Sequence, residues 1–236
     1  MDPLTEILAP ARPTAIVDVG ANPIDGDPPY RAMLAAALYE VTGFEPQPDA
    51  LALFNLFPIW GTVKQQIPVT TRKLDDIAQI AHLDFLKMDF QGAEREVLAH
   101  GRAKLADAVV IQTEVSFVPM YQGQPVFGEI DLALRELGFL PHCVTGTKIW
   151  PIAPMVVGDT PNRGIRQLLE TDMVYVKDFS RPQNMSAEQW KHLALVAHHC
   201  YGSYDLALKA IVTLIEMGAV PDGSNKRYLA SLRKSN

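Results

Sequence analysis

Four carboxylates stand at or near the ends of apolar runs in this sequence, and a lysine lies inside one of the runs. In residues 14–22, TAIVDVGAN, a β-branched apolar stretch stops at Asp18 and Gly20. An apolar run ending in a glycine turn is how the first strand of an open α/β sheet hands over to a ligand loop. Glu45 ends a second run, VTGFE, close to the offset of about 20 residues at which mononucleotide folds place an acid for ribose hydroxyls. Asp89 ends a third run at 85–89, and Glu114 lies near the carboxyl end of a fourth at 109–116. If the third and fourth strands pair, Asp89 and Glu114 line one crevice, where a carboxylate can act as general base. Lys87 is costly to bury unpaired, so it is expected to meet Asp89 or Glu114, as a structural ion pair or as a catalytic lysine.

The elements that must hold these residues alternate between strand and helix, which predicts an α/β fold with a mostly parallel, doubly wound sheet. The spacing predicts helices at 30–38, 48–57, 74–80, from Gln91-Gly92 to Gly101, and at 127–137. Further strands are expected at 66–71, 140–145 and 173–177, and 146–164 reads as a long Pro/Gly-rich loop. Beyond Pro182 the pattern changes. Ser186 and Gln189 fit a capping box opening a helix to Cys200, a second helix runs 204–217, and a short polar one lies near 226–232. The expected division is therefore a sheet domain at 1–182 and a helical appendix at 183–236, the latter a packing surface or a route to a homo-oligomer.

Composition narrows the class of partner. The 236 residues carry a formal net charge of −6, which argues against a sequence-independent grip on nucleic acid. No apolar run is long enough to span a bilayer, and MDPLTEILAP lacks the basic start of a signal peptide. Two distant cysteines, Cys143 and Cys200, suit a reducing cytoplasm rather than a disulfide scaffold. His198, His199 and Cys200 are consecutive, diverge around a helix axis and have no second ligand group in step with them, so no metal is expected.

The first loop lacks the second and third glycines of a dinucleotide fingerprint, since Asn22 and Asp25 stand in their places. The second glycine lets a pyrophosphate approach the backbone. Its absence disfavours a nicotinamide oxidoreductase and favours a nucleoside ligand without pyrophosphate, of which S-adenosylmethionine is one.

The stretches IVDVGAN, GFEPQPDAL, TRKLDDI, DFLKMDFQGAEREVLAHG and IQTEVSFVPMYQGQPVFGEIDLALRELGF resemble, in order and style, the FkbM-type methyltransferases. The resemblance covers roughly 14–178 and implies a Rossmann-like class I methyltransferase sheet, S-adenosylmethionine as cofactor, and a hydroxyl on a sugar or other small natural product as acceptor. It implies that Asp18, Gly20, Ala21 and Asn22 form the methionine end of the cofactor site. Glu45 would hold the ribose, and Asp89 and Gln91 would face the sulfur and the acceptor. The catalytic candidates are Asp89 or Glu114 as general base, and Lys87, for which a structural ion pair is the alternative.

Two departures from the family pattern stand out. The first loop carries an inserted PIDGDPPY, and the interval from Asp49 to Leu74 is shorter than in these enzymes. Either 66–71 supplies the missing strand or the adenine side is incomplete, and the alternative to an enzyme is an inactive methyltransferase-like binding protein.

Overall fold

A computed structural model describes residues 2–20, 28–34, 38–44, 71–89, 92–120, 123–158, 160 and 163–233. The strands are β1 (Thr14–Val19), β2 (Tyr39–Phe44), β3 (Phe85–Met88), β4 (Val110–Ser116), β5 (Phe139–Trp150) and β6 (Gln167–Lys177). Helices α1 (Pro3–Leu8), α2 (Arg31–Leu34), α3 (Glu94–His100), α4 (Arg102–Leu105) and α5 (Phe127–Glu136) lie among them. The tail forms α6 (Ala187–Tyr201), α7 (Tyr204–Glu216) and α8 (Ser224–Leu232).

The six strands form one sheet in the order β2-β1-β3-β4-β6-β5. The first four are mutually parallel, and β6 runs antiparallel to both β4 and β5. The chain leaves β1 toward β2 and returns to β3 on β1's other side, so a topological switch point lies at the carboxyl ends of β1 and β3. This is the expected α/β class with a mostly parallel sheet.

Each face has its own apolar layer, as the two-residue period of a strand dictates. Ile16, Phe85, Val110, Val174 and Val176 point to one side and pack with α1 and with Trp190, Leu193, Leu206, Ile211 and Tyr228 of the tail. Val17, Leu86, Ile111, Val115 and Tyr175 point to the other and meet Leu98, Leu105, Ile130 and Leu134. The tail helices thus cover the apolar layer of the central strands on one sheet face.

Local chemistry explains where these helices begin and end. At α6 the Ser186 hydroxyl accepts from the Gln189 N–H while the Gln189 side chain reaches back to the Ser186 N–H, and Gly202 ends the helix in the left-handed region at φ 61°. Asp2 caps α1 in the same manner through the Thr5 N–H, with Pro3 in the first turn.

Several expected elements differ. The predicted helix at 74–80 is a single 3₁₀ turn, Leu74–Asp76, because Ile77 turns to an extended conformation (φ −86°, ψ 93°). Of the helix expected at 30–38, α2 is described over Arg31–Leu34, residues 35–37 lie outside the described residues, and Leu38 leads into β2. The long loop expected at 146–164 is in fact flanked by strand, with β5 extending to Trp150 and β6 starting at Gln167. The hairpin's outer half is exposed and mixes polar with apolar residues, so it lacks the apolar signature of a buried strand. The expected elements at 48–57 and 66–71 lie outside the described residues.

Candidate active site

Strand register sets the geometry. Asp18 on β1 lies opposite Lys87 on β3, Lys87 opposite Gln112 on β4, and Glu114 opposite Asp172 on β6. Directly opposed residues share a face, so a polar strip runs across four strands at the carboxyl edge. It lies on the side that the tail covers and continues the apolar layer of Ile16, Phe85 and Val110.

At the β1 end, Asp18 is 2% exposed and doubly held. Lys87 Nζ stands 3.2 Å from its Oδ1, and the Tyr30 hydroxyl donates to Oδ2 at 2.7 Å. Burial and this carboxylate push the Tyr30 hydroxyl pKa well up, so Tyr30 remains a donor. Lys87 therefore pairs with Asp18 rather than meeting Asp89 or Glu114 in the expected way. The cause is register: the β1–β3 pairing sets the two side chains directly opposite each other.

Gly20 follows β1 with φ +81°, and a Cβ there would collide with the Asp89 carbonyl oxygen. The Gly20 N–H donates to the Phe44 carbonyl, and the Asp89 N–H to the Val19 carbonyl. The turn is thus locked between the ends of β2 and β3. Ala21, Asn22, Glu45 and Gln91 lie outside the described residues.

The β4 end carries the stronger electrostatics. Glu114 is 8% exposed, with Lys148 Nζ 3.2 Å from its Oε1. Burial, with the like charges of Asp89 and Glu170 added, pushes its carboxyl up to about 8, against the pull of Lys148. Asp172 moves in the same direction from burial and from Asp89. Asp89 and Glu114 therefore interact across the same edge, as expected from the sequence.

Lys148, Glu170, Asp172, Tyr30 and Tyr201 were not singled out from sequence. The Tyr201 hydroxyl, at the end of α6, donates to Gln112 Oε1 at 2.8 Å and brings the tail into the strip. The alternation Glu170, Asp172, Val174, Val176 was a usable signal, since it repeats the Glu114, Gln112, Val110 pattern of β4 on the same face. His198 and His199 take structural partners, Tyr228 at 2.9 Å and Asp2 at 3.4 Å.

Residues 52–141 match the family model of the Methyltransferase FkbM domain. A segment of 77 residues is 39% identical to the 2-O-methyltransferase NoeI of Sinorhizobium fredii (strain NBRC 101917 / NGR234), covering 31% of this chain and 32% of that protein. The chain thus spans about a third of the length of this curated relative. The magnesium protoporphyrin IX methyltransferase of Synechocystis PCC 6803, solved with bound SAM, overlaps 74% of this chain and 77% of its own at 14% identity and a TM-score of 0.39. That overlap is loose, and the fold assignment rests on the strand order itself. The family model and the identical segment agree with the resemblance that the order of the sequence motifs bears to the FkbM-type methyltransferases.

Proposed function

We propose that the protein is an S-adenosylmethionine-dependent methyltransferase acting on a hydroxyl of a sugar or other small-molecule acceptor. One observation carries the reading: the glycine turn at Gly20 and the carboxylates Asp18, Asp89 and Glu114 share the carboxyl edge of one sheet, around its switch point. The similar segment belongs to a 2-O-methyltransferase, which supports oxygen as the atom methylated.

The residues fit the cofactor's charge. Its sulfonium and α-ammonium are cationic, and among the described residues carboxylates outnumber lysines along this edge. Gly20 and Asp89 would hold the methionine end, with Asp18 adding negative charge while its oxygens accept from Lys87 and Tyr30. When bound, S-adenosylmethionine supplies an electrophilic methyl whose carbon takes the acceptor oxygen's electron pair, while the carbon–sulfur pair stays with sulfur.

The chain's own part is to place the hydroxyl in line and to take its proton. Holding oxygen and methyl in near-attack geometry supplies most of the acceleration in such a displacement. Glu114 accepts the proton, and a carboxyl with raised proton affinity is well matched to that step near neutral pH.

Calorimetric titration of the protein with S-adenosylmethionine tests the reading. Saturable binding that weakens by about tenfold or more in Asp89→Asn, a loss of about 1.4 kcal/mol, is expected. No binding by the parent protein overturns it.

A further inference from the structure

The β5–β6 hairpin brings charge to the site that proton transfer from a hydroxyl does not require. Glu114 opposes Asp172 across β4–β6, and Glu170 opposes Lys148 across β5–β6. Among the described residues, Glu114, Glu170 and Asp172 thus share a patch with the Lys148 ammonium. Lys148 Nζ spans two of them, 3.2 Å from Glu114 Oε1 and 2.5 Å from Glu170 Oε1. Its side chain is 62% exposed, so it reaches the buried pair from the solvent side and can withdraw to it.

A second observation points to a ligand. Glu170 is 5% exposed, and its Oε2 is buried without a hydrogen-bond partner. An orphaned buried carboxylate oxygen is costly, and a donor from a bound molecule would remove that cost. Gly146 stands opposite Asp172, where a Cβ would come to 3.5 Å from Asp172 Oδ2, so the glycine leaves that oxygen open.

We propose that the sheet edge formed by the carboxyl ends of β4 and β5 and the amino half of β6 is a subsite for a protonated amine, so that the methyl acceptor is a hydroxyl compound that also carries an ammonium group. The inference rests on the methyltransferase reading and names the class of acceptor for that site. Glu170 Oε2 and Asp172 would accept from the ammonium while Glu114 takes the hydroxyl proton. Neighbouring strands lie about 4.8 Å apart, so base and ammonium site fall within the span of one sugar ring.

The surrounding groups agree. Lys87 and Asp89 face the patch from the β3 side, and Tyr201 from α6. Burial first, and the like charges of Asp89 and Glu170 second, raise the proton affinity of Glu114 and Asp172.

The test uses the full chain and three probes: glucosamine, glucose and N-acetylglucosamine, titrated by NMR at pH 7 and constant ionic strength. Glucosamine is expected to bind about tenfold or more tightly than either neutral sugar, as a charge-assisted contact implies. Glu170→Gln should erase the preference, and Lys148→Met, which removes the competing cation, should enlarge it. Circular dichroism confirms the fold of each variant, and Lys148→Met decides alone if Glu170→Gln does not fold. No binding of glucosamine, equal binding of the three sugars, a preference that survives Glu170→Gln, or one abolished by millimolar magnesium overturns the subsite. Calorimetry with S-adenosylmethionine on the same preparation keeps the two failures apart. Cofactor binding without an amine preference sinks the subsite alone, and absent cofactor binding sinks the methyltransferase reading.

Discussion

Gly20 and Asp89 meet backbone to backbone at the switch point of the sheet, and the contact leaves no room for a side chain on Gly20. Its φ of +81° lies where only glycine is unstrained. Gly20→Ala therefore combines left-handed strain with a collision against the Asp89 carbonyl. A loss of roughly 1–3 kcal/mol is expected, read as a lower midpoint in urea denaturation. Relief of the clash moves Asp89, so affinity for S-adenosylmethionine should fall by more than the stability loss alone explains. An alanine variant with parental stability and affinity would refute this role.

The Lys87–Asp18 pair is the second test. Lys87→Met leaves a buried carboxylate with the Tyr30 hydroxyl as its remaining side-chain donor among the described residues, and breaking a buried pair by removing one partner costs about 3–5 kcal/mol. Tyr30→Phe removes one hydrogen bond to a charged group, worth about 1.5–3 kcal/mol. Because both donors serve the same carboxylate, the double variant should depart from additivity. Simple additivity in a denaturation cycle would show that Asp18 is held by something else.

The central sheet was legible because β1, β3 and β4 are buried on both faces and read as apolar runs. Asp18, Asp89 and Glu114 were found by asking which polar residues end those runs. The partner of Lys87 was not legible, since it depends on the register of β1 against β3, strands separated by most of the first half of the chain. The hairpin half of the site was hidden for another reason: around Lys148 and Glu170 the strands are wet on one side, so polar alternation resembles loop. Tyr201 looked like a helix end, and only the packing of α6 on the sheet brings its hydroxyl to Gln112.

Glu114 gives the protein a particular pH signature. Its carboxyl is raised from an ordinary value of 4.5 to about 8. Between those values the folded state holds a proton that the unfolded chain releases. Stability from this group is therefore lost as pH climbs toward 8, and it levels off above. Glu114→Gln mimics the protonated form, so it should match the parent near pH 5 and exceed it in stability at pH 8, by thermal unfolding. Methyl transfer should move in the opposite sense, rising toward pH 8 in the parent as the base ionises, and lacking that limb in the variant. Identical pH–stability curves for parent and variant would remove Glu114 from the cluster.

The tail joins the site to the rest of the fold. Trp190, Leu193, Ala194 and Ile211 are buried in one cluster with Ile16, Phe85 and Val110, the residues that continue the polar strip down the sheet. Below that strip, at the amino edge, His192 Nδ1 lies 3.1 Å from the Thr14 hydroxyl, next to the bidentate Arg12–Asp84 pair. α6 is thus fastened at two levels of the sheet, to the amino end of β1 through His192 and to Gln112 of β4 through Tyr201. A chain ending at Pro182 would expose that apolar face and should be recovered as insoluble protein or as a state without near-UV dichroism. Trp190→Ala tests the packing alone and should cost about 3–5 kcal/mol. Tyr201→Phe tests the upper fastening: a loss of about 1 kcal/mol in stability is expected, with a larger fractional fall in kcat than in KM as Gln112 and its neighbours lose their fixed position. A truncated chain that folds cooperatively and binds S-adenosylmethionine as the parent does would show that the sheet needs no such cover.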